Sequence, residues 1–194
     1  MRSRGADLRR RSGKGALPPT KPIVPVRAGP NLHPPATGAE RGALISRERQ
    51  EFDDHQAETM DANMREAGRW LRQGERDLVS ARNSCRSGDF EWACFQAQQS
   101  AEKTLKALLY ARGYRRILTH SVYELIREIG EYEPSFLALK SEAKALDAAY
   151  ITTRYPDSIV GNLTPSEYYD REDAEECIEH ADSICSAARE ALAG

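Results

Sequence analysis

Apolar residues recur at three- and four-residue steps in five stretches of this chain, the spacing that collects side chains on one side of a 3.6-residue helix. The first stretch, about 61–85, turns Ala67, Trp70, Leu71, Gly74, Leu78, Ala81 and Cys85 inward, and Ser87, Gly88 and Asp89 supply a stop, a turn and the next cap. The second, from Phe90 to near Gly113, carries the stripe Phe90, Ala93, Cys94, Ala97, Ala101, Leu105 and Leu108. Its small residues let a neighbouring helix approach closely. Its polar edge is Gln98, Gln99, Glu102, Lys103 and Lys106, where Glu102 and Lys106 have the order and spacing of an exposed ion pair. A third helix opens at 119–121, with Ser121 and Glu124 at capping-box spacing, and buries Val122, Leu125, Ile126 and Ile129. Pro134 suits the first position of a fourth, with Phe136, Leu139, Ala143, Leu146 and Tyr150 inward, and Pro156 closes it. After a link spanning 155–169, the stripe Ala174, Cys177, Ile178, Ala181, Ile184, Cys185, Ala188 and Leu192 marks the last helix. With no strand pattern, the expected fold is all-α, an antiparallel up-and-down bundle of about five helices.

Composition separates this bundle, residues 61–194, from what precedes it. Residues 1–60 hold Pro18, Pro19, Pro22, Pro25, Pro30, Pro34 and Pro35 among scattered arginines, a composition that buries too little apolar area to offset its conformational entropy. A disordered basic tail is expected there. The tail carries 11 Lys/Arg against 7 Asp/Glu, and the bundle 17 against 23, so a net of about +4 precedes a net of about −6. An acidic domain disfavours non-specific binding to long nucleic acid, whose affinity comes largely from phosphate neutralisation, but leaves room for a local basic pocket. No stretch approaches the apolar length of a membrane span, so a cytoplasmic protein without membrane contact is expected. Cys85, Cys94, Cys177 and Cys185 lie within helical patterns without metal-ligand spacing and read as buried reduced thiols. Neither a metal site nor a cofactor loop is expected.

Candidate chemistry concentrates in three places. Thr152, Thr153, Arg154, Tyr155, Pro156 and Asp157 gather two hydroxyls, a guanidinium, an aromatic ring and a carboxylate where a helix gives way to a long link. Arginine presents a fork of donors suited to phosphate, and tyrosine can stack on a base. A structural role is the alternative, with Arg154 paired to Asp147, Asp157 or a helix C-terminus. Lys103 and Lys106, with Gln99 and Glu102, form a second group, either solvated surface charges or, if Arg154 faces the same groove, part of an electropositive pocket. His120, behind Arg115 and Arg116, suits a helix-capping position.

Taken together, Trp70-Leu71-Arg72-Gln73, the run Gln99, Glu102, Lys103, Lys106 and Ala107, the Thr119-His120 pair and Thr153-Arg154-Tyr155-Pro156-Asp157 resemble the HEPN domain family over roughly 64–192. The likeness is greatest to members such as the C-terminal domain of sacsin and the bacterial stand-alone or nucleotidyltransferase-associated proteins. That resemblance implies a homodimeric helical module that binds a nucleotide through Arg154 and Tyr155, with Lys103, Lys106 and Gln99 alongside, and that works with a minimal nucleotidyltransferase. It also implies two alternatives. One is a metal-independent endoribonuclease of the toxin type, in which Arg115 and His120 would supply the Arg and His of the family's nuclease motif; RNA would then be the partner. The other is a purely structural dimerisation module. In the nuclease members the motif opens the last long helix of the core, whereas here it precedes the third helix, and positions 159–161 after Arg154 are Ile-Val-Gly.

Overall fold

The computed structural model describes residues 38–194, with side chains described continuously from Asp53. The part of the expected tail before residue 38 lies outside the described residues. The chain divides into units 1–43 and 44–194, and the described part of the first is the helical stretch 38–43. In chain order the elements are α1 (Gly38–Ser87), α2 (Phe90–Ala111), α3 (Val122–Gly130), a 3-10 segment (Pro134–Leu139) leading into α4 (Lys140–Thr152), a 3-10 turn (Pro156–Ser158), α5 (Pro165–Tyr168) and α6 (Arg171–Ala193). No strand occurs among the described residues, so the fold is all-α.

Helix α1 begins upstream of the first apolar stripe. Its early sequence, Ser46-Arg47-Glu48-Arg49-Gln50-Glu51, is built largely from good helix formers, so intrinsic propensity rather than burial accounts for the extra turns. Farther along, Ala67, Gly74, Leu78, Ala81 and Cys85 are buried as the stripe requires. Gly74 is where α1 meets α2: Ser100 Oγ donates to Gly74 O at 2.7 Å, and a Cβ at position 74 would stand 2.4 Å from Thr104 Oγ1 and 3.0 Å from Ser100 O. Gly88 turns the chain into α2 at φ +89°, a conformation glycine adopts without steric cost.

Helix α2 is the axis of the bundle, packing most extensively on α6 and also against α3 and α4. Ala93, Cys94, Ala97, Ala101 and Leu105 are fully buried, as are Ala174, Ala181, Ile184, Cys185 and Ala188 on α6. All four cysteines are free and buried. The Cys94 thiol is hydrogen-bonded to Cys177 and shielded from water, both of which hold it in the protonated form, and burial does the same to Cys185. These sulfurs act as small apolar groups in the α2–α6 seam.

Helix α3 starts where its capping box predicts, Ser121 Oγ accepting from Glu124 N. Asp147 reinforces that start from α4. Its carboxylate accepts from Ser121 Oγ at 2.6 Å, Val122 N at 2.7 Å and Tyr123 N at 3.1 Å, putting a negative charge on the positive end of α3. Of the positions expected inward in the fourth helix, two differ: Leu139 is half-buried against the core, and Tyr150 is half-buried but turns its ring toward the α2–α3 link. The link 155–169 contains the 3-10 turn and α5, where Thr164 and Glu167 form a capping box.

Candidate functional site

The polar edge of α2 is not a solvated face. Glu102 and Lys106 are each only 3% exposed, which corrects the expectation of a surface ion pair. The physical reason is that α2 is wrapped by other elements on both flanks, so residues off the apolar stripe are also withdrawn from water. Lys106 Nζ pairs with Glu102 Oε1 at 2.8 Å, and the same oxygen lies 3.1 Å from His120 Nδ1. The other oxygen, Oε2, accepts from Gln99 Nε2 at 3.2 Å and Gln98 Nε2 at 3.4 Å. Gln98 also donates to the backbone carbonyl of His120 at 2.9 Å, tying the link to α2. A buried carboxylate is tolerated only when compensated in this way.

Lys103 is likewise neutralised. Its Nζ lies 2.6 Å from Asp77 Oδ2 and 3.1 Å from Gln99 Oε1. A cleft of about 530 Å³ adjoins it, lined by Glu66, Arg69, Trp70, Arg72 and Gln73. Trp70, read as a core position, is half-buried at this surface, stacked on Tyr110 at 5.2 Å with Lys106 Nζ 5.7 Å from its ring.

From this hub a row of rings leads to Arg154. The His120 imidazole stacks on Tyr150, with centroids 5.6 Å apart and planes 12° from parallel, and Tyr150 in turn neighbours Phe95 at 6.3 Å. The Arg154 guanidinium sits 4.4 Å from Tyr150, 4.7 Å from Phe95 and 5.2 Å from Tyr155. Arg154 Nε and Nη2 donate to Tyr150 O at 2.9 and 2.7 Å, so the helix C-terminus holds the guanidinium, while Asp147 is committed to capping α3. No carboxylate pairs with Arg154 among the described residues, and Tyr155 beside it is 50% exposed.

Of the residues expected to form a site, Lys106, Gln99, His120, Arg154 and Tyr155 therefore fall on one contiguous strip, with Lys103 joined through Gln99. The lysines enter it already paired, so the cationic character of the strip rests on Arg154. Arg115 is exposed and makes no hydrogen bond or ion pair with His120 among the described residues. The hydroxyls of Thr152 and Thr153 are taken by the carbonyls of Ala148 and Ala149. Sequence reasoning misses Phe95 as a member of this neighbourhood; it gives Tyr150 a core position, Gln98 only a place on the polar edge of α2, and Asp147 a pairing with Arg154 in place of its bonds to the start of α3. Among the described residues no group of three or more His, Cys, Asp or Glu could hold a metal, and no helix is long and apolar enough to cross a membrane.

Comparison with known proteins gives this strip its family context. A protein named "Putative toxin MJ1304" from Methanocaldococcus jannaschii is 28% identical over 138 residues, covering 67% of this chain and 90% of that protein. The crystal structure of TT1696 from Thermus thermophilus is 38% identical with a TM-score of 0.61, covering 64% of this chain and 97% of that one. The structure of ST0689, described as an archaeal HEPN homologue, is 35% identical with a TM-score of 0.55, covering 66% and 98%. The HEPN domain model matches residues 67–191, the span that carries every residue of the strip, and the chain belongs to the HEPN domain family.

Proposed function

We propose that this HEPN-domain protein binds a nucleotide along the strip, with phosphate on Arg154 and the base on Tyr155. The observation that carries this reading is the Arg154 guanidinium, held by a carbonyl and three aromatic rings with no carboxylate among the described residues to neutralise it, beside a half-exposed tyrosine. Orienting a guanidinium on rings and a backbone oxygen leaves its charge for a ligand, whereas an Arg–carboxylate pair would neutralise it. Lys106 and Gln99 serve indirectly by fixing Glu102, and Lys103 borders the adjoining cleft. In this reading the protein is a homodimeric module rather than an enzyme, and a minimal nucleotidyltransferase is a natural protein partner.

Calorimetric titration with ATP, GTP and their diphosphates tests the proposal. Binding is expected in the wild type, with a loss of roughly tenfold or more in Arg154→Ala, since charge-assisted hydrogen bonds contribute more than neutral ones. Absence of binding at millimolar nucleotide would leave the dimerisation module in its place. A monomer in light scattering would remove the dimer.

One observation favours a second reading, RNA cleavage. The buried Glu102 carboxylate at His120 Nδ1 leaves the other ring nitrogen of a 58% exposed imidazole turned to solvent, as a general acid or base requires. The word toxin in the name of MJ1304 agrees with it. Arg154 shares the Tyr150 ring with His120, whereas no hydrogen bond or ion pair joins Arg115 to His120 among the described residues. Cleavage of RNA by the wild type that His120→Ala abolishes would establish this activity; equal cleavage by both would exclude it.

A further inference from the structure

A neutral imidazole offers one N–H and one lone pair, and its neighbours decide which nitrogen carries which. An ionised carboxylate can only accept, so Glu102 Oε1 at 3.1 Å places the proton of neutral His120 on Nδ1. The Glu102 carboxylate accepts in turn from buried Lys106 at 2.8 Å and from the amides of Gln98 and Gln99. The remaining nitrogen, Nε2, has no hydrogen-bond partner among the described residues and belongs to a side chain 58% exposed. It is an acceptor facing solvent, and its orientation is fixed by a network that is itself almost wholly buried.

The donor in this neighbourhood is Arg154. The imidazole and the guanidinium lie 5.6 and 4.4 Å from the same Tyr150 ring, which bounds their separation at about 10 Å. A ligand engaging both must present an anion to the arginine and a hydrogen-bond donor to the histidine. A phosphate dianion has no proton to give. A ribose hydroxyl has one, and it is carried a few bonds from the phosphate of the same nucleotide.

We propose that His120, fixed as an acceptor by Glu102 and Lys106, makes the strip selective for ribonucleotides over nucleotides lacking the ribose hydroxyls. This rests on the nucleotide-binding reading and deepens it. Glu102 and Lys106 are positioning residues here; His120 is the group that meets the sugar. Because Nε2 is open to water, which replaces a lost hydroxyl, the selectivity is modest, roughly three- to tenfold, the worth of one neutral hydrogen bond.

The test is a pair of titrations, GTP against 2′,3′-dideoxy-GTP, on the wild type and on His120→Ala. The wild type is expected to bind the dideoxy compound roughly three- to tenfold more weakly, and His120→Ala to bind both alike while retaining its phosphate contact. Equal wild-type affinities would overturn the selectivity and leave nucleotide binding standing. Failure of both compounds to bind would overturn both. Imidazole nitrogen NMR above neutral pH supplies a readout that packing alone would not move: His120 is expected to be protonated on Nδ1 and bare on Nε2, and the opposite tautomer would contradict the proposal.

Discussion

The two flanks of α2 are buried to the same degree by opposite chemistry. Toward α6 the contacts are small and uncharged, mostly alanines, with Cys94 against Cys177 and the hydroxyls of Ser100 and Thr104 each 3.3 Å from Cys185 Sγ. Toward the α2–α3 link Gln98, Glu102 and Lys106 are as deeply buried, but as a charged network that ends in an exposed histidine. The apolar flank is a sum of many weak contacts between small side chains, so trimming one costs its own contacts and a small cavity without stranding a charge. The polar flank is a closed set of donors and acceptors, in which removing one member strands another.

The largest effect should therefore come from the polar side. Glu102→Ala leaves Lys106 buried without a counter-charge and should lower stability by roughly 3–5 kcal/mol in urea denaturation. A loss under about 1 kcal/mol would mean that the two flanks do not differ as described. Next comes Gly74→Ala, at the close approach of α1 and α2. At an open helical site this change would stabilise, but here the new Cβ meets Thr104 Oγ1 and the Ser100 carbonyl, and a loss of roughly 1–3 kcal/mol is expected. A rise in melting temperature would refute the packing of α1 on α2. Asp147→Ala removes the cap that α4 lends to α3 and should cost about 1–2 kcal/mol, with Asp147→Asn recovering part of it.

The last effect is confined to alkaline pH. Burial pushes the Tyr132 hydroxyl up to about 12, outweighing the Arg112 guanidinium lying over its ring. Since the unfolded value is about 10, the unfolded chain gives up this proton first. The contribution is whole below about pH 10 and is lost as pH rises toward 12, so stability should fall over that window more steeply in the wild type than in Tyr132→Phe. Parallel curves would show that Tyr132 contributes nothing to the alkaline loss.

The same contrast explains what can be read from the residues in order. Periodicity finds the apolar flank because burial of aliphatic groups leaves a repeating mark, and Ser121, Glu124 and Pro134 mark helix starts because capping is local. It misplaces Glu102 and Lys106, since an i,i+4 charge pair has the same spelling on a surface as in a core, and what buries it comes from other elements. Asp147 is invisible as a cap because its partners lie more than twenty positions away. Arg154 and His120 are each legible as candidates; the ring of Tyr150 that joins them reads as core, because an aromatic at a helical inward position serves either purpose.

Nucleotide binding by the strip turns on whether Arg154 offers an uncommitted charge to a phosphate. Calorimetry with GTP on the wild type and Arg154→Ala measures this most directly. The prediction is saturable wild-type binding weakened by roughly tenfold or more in the variant, with its helical content unchanged. Equal affinities, or no heat of binding to the wild type at millimolar nucleotide, would contradict it.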